Sequence, residues 1–94
     1  MKMARYVIER DIPAIGSSTH EEMKMAARMS ISVLQDMKKE NKDIEWEHSY
    51  ITANKSFCIY NTSDPDLIME HGKRSGYPVT LVTRTTYLVN PLAL

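Results

Sequence analysis

The sequence predicts an α+β fold whose strands and helices follow one another in the order β-α-β-β-α-β. Two segments have apolar residues spaced by three and four, which is typical of a helix that packs through one side. Four segments are rich in β-branched and aromatic residues, and turn-forming residues separate them. The chain has 94 residues and shows no internal repeat or linker. We therefore expect residues 1–94 to form a single domain.

The first strand and the start of the first helix come early in the chain. Residues Ala4–Glu9 combine β-branched and aromatic side chains, which favour a strand. Two capping boxes follow, Ser18 with Glu21 and Thr19 with Glu22. The sequence therefore predicts a helix whose N-cap is one of these two residues.

The first helix is predicted to be about 20 residues long, or roughly 30 Å. It ends before the polar turn Asn41–Asp43. Its small and apolar residues recur at spacings of three and four and form the face that we expect to cover a sheet: Met23, Ala26, Ala27, Ser30, Ile31, Leu34 and Met37.

Two strands occupy the centre of the chain. Ile44–Thr52 and Lys55–Asn61 are the predicted second and third strands, and Ala53-Asn54 is suited to a tight turn between them. A second helix is expected next, because Asp64 is a favourable N-cap and Pro65 is tolerated in the first helical position.

The second helix and a last strand complete the pattern. Leu67, Ile68 and His71 share one face of the helix. Gly76 is suited to end the helix in the left-handed conformation. The composition of Val79–Val89 then predicts a fourth strand, which is long for a chain of this size.

This order of elements is the ferredoxin-like plan, a four-stranded antiparallel sheet with both helices on one face. Apolar residues occupy both parities of the strands, as in Val7 beside Ile8 and Leu81 beside Val82. Both faces of the sheet are therefore expected to be covered. We predict a homodimer that packs through the open sheet face as a dimeric α/β barrel. The alternative is a monomer with one solvated face.

The composition excludes some classes of function. Twelve basic and twelve acidic residues cancel without forming a block, which argues against a nucleic-acid-binding surface. The longest apolar runs are too short to span a membrane, and the N-terminus lacks the pattern of a signal peptide. The single cysteine, Cys58, cannot form an internal disulfide. These observations predict a cytoplasmic protein.

Three segments resemble the bacterial family known as domain of unknown function 4242: ARYVIERDIPAIGSS, WEHSYITANKSFCIY and EHGKRSGYP. The resemblance extends from about Arg5 to Val89. It implies a ferredoxin-like fold that forms dimeric barrels. One branch of the family is similar to nickel-binding proteins, with the metal held near the dimer surface. The resemblance therefore implies nickel, or another divalent metal, as the cofactor.

The candidate metal ligands are His48, His71 and Glu9. Nickel is bound by imidazole nitrogen and by oxygen donors. Two copies related by a two-fold axis could pool such histidines with carboxylates. The alternative role of each histidine is a structural hydrogen bond. The alternative role of Glu9 is an ion pair with Arg84, since the first and last strands are neighbours in this plan.

A second set of residues is predicted to line a ligand pocket between the sheet and the helices: Trp46, Tyr50, Cys58, Tyr60 and His71. Alternation along the second strand predicts that His48 faces the same way as Trp46 and Tyr50. The alternative for Cys58 is a small buried apolar side chain.

Three hypotheses for function remain. The first is a small cytoplasmic dimer that binds nickel or another divalent metal. The second is a small-molecule-binding protein or an enzyme with a pocket between sheet and helices. The third is a dimeric interaction module without a ligand. The sequence lacks motifs typical of catalysis, which favours binding over an enzyme, and the resemblance places the metal hypothesis first.

Overall fold

The computed structural model describes residues 2–93 and contains the predicted elements in the predicted order. They are β1 (Ala4–Asp11), α1 (His20–Lys39), β2 (Ile44–Ile51), β3 (Lys55–Thr62), α2 (Asp66–Ser75) and β4 (Leu81–Arg84). The strands form one antiparallel sheet in the order β2-β3-β1-β4. Val33 and Met37 of α1 and Ile68 of α2 belong to one core cluster with the sheet. The ferredoxin-like plan with both helices on one face is therefore confirmed.

The helices begin and end as local chemistry predicts. Thr19 is the N-cap of α1: its hydroxyl accepts from the Glu22 amide at 3.1 Å, and the Glu22 carboxylate accepts from the Thr19 amide at 2.8 Å. The Asp64 carboxylate accepts from the Asp66 amide at 2.9 Å and so caps the start of α2. Gly76 ends α2 with φ 80°. Only a residue that tolerates the left-handed region suits that position.

Alternation along β1 and β3 assigns their residues to two faces of the sheet. We call the face under the helices the covered face; its buried residues are Tyr6, Ile8, Arg10, Ser56, Cys58, Tyr60 and Thr62. We call the opposite side the open face; from these strands it carries Arg5, Val7, Glu9, Lys55, Phe57, Ile59 and Asn61. The core of the domain lies between the covered face and the two helices.

Strand β2 departs from simple alternation at a bulge. Between Trp46 and His48 the strand advances by two residues while β3 advances by one, so Glu47 is an extra residue. Trp46 therefore lies on the covered face, while His48 and Tyr50 lie on the open face. The prediction that all three share one face is wrong, because one extra residue reverses the parity of the residues beyond it.

The fourth strand is shorter than predicted. It spans Leu81–Arg84 instead of Val79–Val89. Its ladder with β1 is continued by a bond from the Thr85 amide to the Arg5 carbonyl at 2.9 Å. Since β1 begins one residue before Arg5, the chain beyond Thr85 has almost no strand to pair with.

Helix α1 packs through a face slightly rotated from the predicted one. Val33 is buried, whereas Ile31 is 43% exposed, so the inclusion of Ile31 in the packing stripe is wrong. Val33 keeps the three-and-four spacing with Ser30 and Met37, which explains why it replaces Ile31. In the part of the chain from residue 2 to residue 93, no helix combines the length and apolar character that crossing a bilayer requires.

Candidate functional site

A cavity of about 250 Å³ lies between the covered face and α1. Met23, Ala26 and Ala27 form its helix side, and Trp46 and Tyr60 are among the residues on its sheet side. The two alanines leave space that larger side chains of the helix would fill. The cavity is therefore a consequence of small residues at two successive core-facing positions of α1.

Three of the five predicted pocket residues line this cavity: Trp46, Cys58 and Tyr60. Tyr50 does not, because the bulge turns it to the open face, where it is 65% exposed. His71 is fully buried beside Tyr60, with its ring edge-on to the phenol ring at a centroid distance of 5.4 Å, and does not line the cavity. The structure thus brings together the residues of β2 and β3 that share the covered face.

Among residues 2–93, the charged residue that lines the cavity is Arg10, which was not one of the predicted pocket residues. Arg10 is only 4% exposed. Its Nη1 donates to the carbonyl oxygens of Tyr77 at 3.1 Å and Pro78 at 3.3 Å. None of the ion pairs among residues 2–93 includes it. A signal existed in the sequence, since Arg10 has the same parity as the apolar Ile8 of its strand.

The two carbonyl groups that bind Arg10 depend on a close approach at α2. A Cβ atom on Gly72 would lie 2.6 Å from Cγ2 of Val79 and 3.2 Å from the carbonyl oxygen of Tyr77. Gly72 therefore allows the segment Tyr77–Val79 to pack directly on α2. This packing fixes the carbonyls of Tyr77 and Pro78 over the guanidinium of Arg10.

The other polar groups of the cavity are neutral. Trp46 Nε1 donates to Ser49 Oγ at 2.9 Å, and Cys58 Sγ lies 3.7 Å from Ser56 Oγ. Burial raises the pKa of Tyr60 to about 12, against the opposing effect of the Arg10 charge. The phenol therefore keeps its proton and does not neutralise Arg10.

His71 is a neutral imidazole with one ring nitrogen unpaired. Its Nε2 lies 3.3 Å from the Ser30 carbonyl, which can only accept, so Nε2 carries the hydrogen. Among residues 2–93, Nδ1 has no partner. Burial lowers the pKa of His71, and the positive charge of Arg10 lowers it further. His71 therefore acts in the core as a structural donor and carries no charge at neutral pH.

The open face carries an imidazole next to a carboxylate. The His48 ring is 5.3 Å from the Tyr50 ring, measured between centroids, and is exposed. Glu47 accepts from Nε and Nη2 of Arg5 at 2.9 and 2.8 Å and from the side-chain Nδ2 of Asn61, and all three bonds go to Oε1. The hydrogen bonds from Asn61 and Arg5 lower the pKa of Glu47, so the carboxylate stays ionised.

The structure does not bring the three predicted metal ligands together. His71 lies under the covered face, whereas His48 and Glu9 lie on the open face. Glu9 contacts Lys55 Nζ at 3.5 Å, so the predicted pairing with Arg84 is wrong; β4 places Leu81, not Arg84, opposite Glu9. Within residues 2–93, no three His, Cys, Asp or Glu side chains cluster in a way that could hold a metal. The described donors of one chain therefore do not form a metal site by themselves.

Comparison with known proteins places this fold in a family. None of the curated protein sequences matches the chain. The crystal structure of SCO4226 from Streptomyces coelicolor A3(2) superimposes with a TM-score of 0.73 at 10% identity, covering 92% of this chain and 100% of that one. A family model described as nickel responsive protein SCO4226-like matches residues 6–84. This family is compatible with the resemblance to domain of unknown function 4242, a label that itself stays a prediction. Since the match covers most of the sequence, the chain belongs to the nickel responsive SCO4226-like family.

Proposed function

We propose that this chain is a dimeric nickel-responsive protein that binds a divalent metal through donors pooled from two copies at the open face. The family description supports nickel. The observation that carries the proposed location is the adjacency of exposed His48 and ionised Glu47, since nickel is bound by imidazole nitrogen and oxygen donors. One chain offers only part of a coordination set, and a second copy would double it. A histidine binds a metal through a ring nitrogen that carries no proton, so metal binding at this face would compete with protons.

The open face also supports the proposed homodimer. Tyr50 is 65% exposed and Leu81 is 50% exposed on this face, and Phe57 lies between them on the sheet. Apolar side chains of this size gain from being covered. Charges of both signs surround them, in the pairs Arg5–Glu47 and Lys55–Glu9. A face that carries both signs can be complementary to itself across a two-fold axis.

We also propose that the protein works in a reducing compartment such as the cytoplasm. The thiol of Cys58 is buried and free, and it needs no oxidised partner to pack as a small apolar group.

Titration calorimetry with nickel chloride tests the metal site. The unmodified protein should give a saturable heat at one ion per pair of chains. His48→Ala should weaken the affinity by roughly tenfold or more, the cost typical of disturbing a metal site. His20→Ala is the matched control, because His20 is an exposed histidine of α1 outside the open face. Equal affinities of the His48→Ala and unmodified proteins would contradict the proposed ligand.

Light scattering tests the dimer separately. The unmodified protein should have twice the mass of one 10.8 kDa chain. Ile59→Asp places a charge in the open face and should give the single-chain mass, while Met29→Glu, on an exposed position of α1, should leave the dimer intact. A monomeric Ile59→Asp variant that still binds nickel with full affinity would exclude pooled donors, and a monomeric unmodified protein would exclude the dimer.

A further inference from the structure

We propose that the cavity between the covered face and α1 binds a small organic anion, an apolar body with a single carboxylate, and that Arg10 is the partner of that carboxylate. This site lies on the opposite side of the sheet from the proposed metal donors. The proposal therefore does not depend on nickel binding or on the dimer.

The first argument is the charge of Arg10. A buried guanidinium is costly unless an anion pairs with it. The contacts of Arg10 with the Tyr77 and Pro78 carbonyls orient the group but do not neutralise it. A guanidinium has five N–H donors, and two contacts from Nη1 do not use them all. Among residues 2–93, the residues that line the cavity include no acidic side chain.

The second argument is the surroundings of that charge. Tyr60 stays protonated beside Arg10, so it supplies a neutral hydroxyl and no counter-charge. Ser56 and Cys58, which precede Tyr60 along β3, add a hydroxyl and a thiol to the wall. One cation among neutral groups suits a monocarboxylate better than a dianion such as phosphate. Arginine and carboxylate can also form two parallel hydrogen bonds.

The third argument is the size and polarity of the cavity. Its volume of about 250 Å³ is just below the range of roughly 300–1,000 Å³ that is typical of drug-sized ligands. The apolar side chains of the wall include Trp46 on the sheet side and Met23 and Ala27 on the helix side. A ligand that fits is therefore small, with a flat or branched apolar body.

Calorimetry with benzoate and benzamide tests the charge. The two compounds have the same shape, but only benzoate is anionic at neutral pH. We expect benzoate to bind saturably and benzamide to bind ten- to a hundredfold more weakly, the range expected for a hydrogen bond to a charged group. 3-Methylbutanoate is a branched aliphatic second probe. A chelator in the buffer keeps the result independent of any bound metal.

Two variants test the location. Ala27→Leu should fill the cavity and abolish benzoate binding while Arg10 is retained. Arg10→Gln should weaken benzoate binding ten- to a hundredfold and leave benzamide binding unchanged. Arg84→Gln is the matched control, since it removes an exposed arginine of β4. If Arg10→Gln does not fold, the Ala27→Leu variant still tests the location of the site, and the comparison of benzoate with benzamide still tests the role of charge.

Three results would overturn the proposal. Equal affinity for benzoate and benzamide would show that the carboxylate charge does not contribute to binding. Full benzoate affinity in Ala27→Leu would place the ligand elsewhere. Absence of a saturable heat with both benzoate and 3-methylbutanoate would exclude the stated class of ligand.

Discussion

The two faces of the sheet differ in whether their basic side chains are paired with carboxylates. On the covered face, Arg10 is buried without a carboxylate partner among the described residues. On the open face, Arg5 pairs with Glu47 and Lys55 pairs with Glu9, all within reach of solvent. The same strands thus present alternate residues to two environments with different ligand preferences. The proposed organic anion would bind on the covered face, and the proposed metal ion and second chain would bind on the open face.

The largest expected effect comes from a matched pair of isoleucines. Ile8 of the covered face is fully buried, while Ile59 of the open face is half-buried. Ile8→Ala should lower the free energy of unfolding by about 2–5 kcal/mol at any protein concentration. Ile59→Ala should cost less than about 2 kcal/mol in dilute solution, with a larger cost at concentrations where the proposed dimer would form. Urea unfolding at two concentrations measures both, and equal costs in dilute solution would contradict the distinction between the faces.

A smaller effect is expected at Gly72. Gly72→Ala introduces a Cβ atom against Val79 and the Tyr77 carbonyl and should cost about 1–3 kcal/mol by overpacking. The same change should weaken benzoate binding, because the displaced segment carries the carbonyls that orient Arg10. Lys73→Ala, at the exposed neighbouring position, is the control for helix propensity. A stabilised Gly72→Ala variant with unchanged benzoate affinity would show that the close approach has no role in the covered face.

The buried His71 should make the free energy of unfolding depend on pH. Burial lowers its pKa in the folded state, so the unfolded chain binds the proton first as the pH falls below about 6.5. Stability is therefore full above that pH and declines below it, by up to about 1.4 kcal/mol per pH unit, until the folded-state pKa is reached. His71→Leu should remove this slope, whereas His48→Leu, on the open face, should retain it. Urea unfolding between pH 7 and pH 5 measures the slopes, and identical slopes in both variants would be the contrary result.

The sequence predicts the elements well because their signals are local. The capping box at Thr19 and the left-handed Gly76 depend on a few neighbouring residues, and the structure confirms both. The assignment of faces along β2 fails because a bulge depends on pairing with β3, which is distant along the chain. The length of β4 was also predicted wrongly, because it is set by pairing with β1, which is distant along the chain. Arg10 was missed because arginine is rarely fully buried, although its parity with Ile8 indicated the core.

The smallest effect is expected from removing the extra residue of the bulge. Without Glu47, regular alternation still places Trp46 on the covered face and His48 on the open face, so neither side chain changes side. The deletion removes the Arg5–Glu47 pair, which is partly exposed and worth less than about 1 kcal/mol. Circular dichroism and urea unfolding should therefore show a folded protein of nearly unchanged stability.

Deletion of Phe57 is the control, because Phe57 lies in a regularly paired part of β3 where no extra residue is present. It should reverse the faces on one side of the deletion and move either Ser56 or Cys58 out of the covered face, so we expect it to prevent folding.

Ligand binding to the Glu47 deletion variant tests whether the two faces are independent. Under the proposed metal site, deletion of Glu47 should weaken nickel binding by removing a carboxylate donor. It should leave benzoate binding unchanged, because the covered face keeps all its residues. If the deletion weakened both ligands equally, the two faces would not be independent.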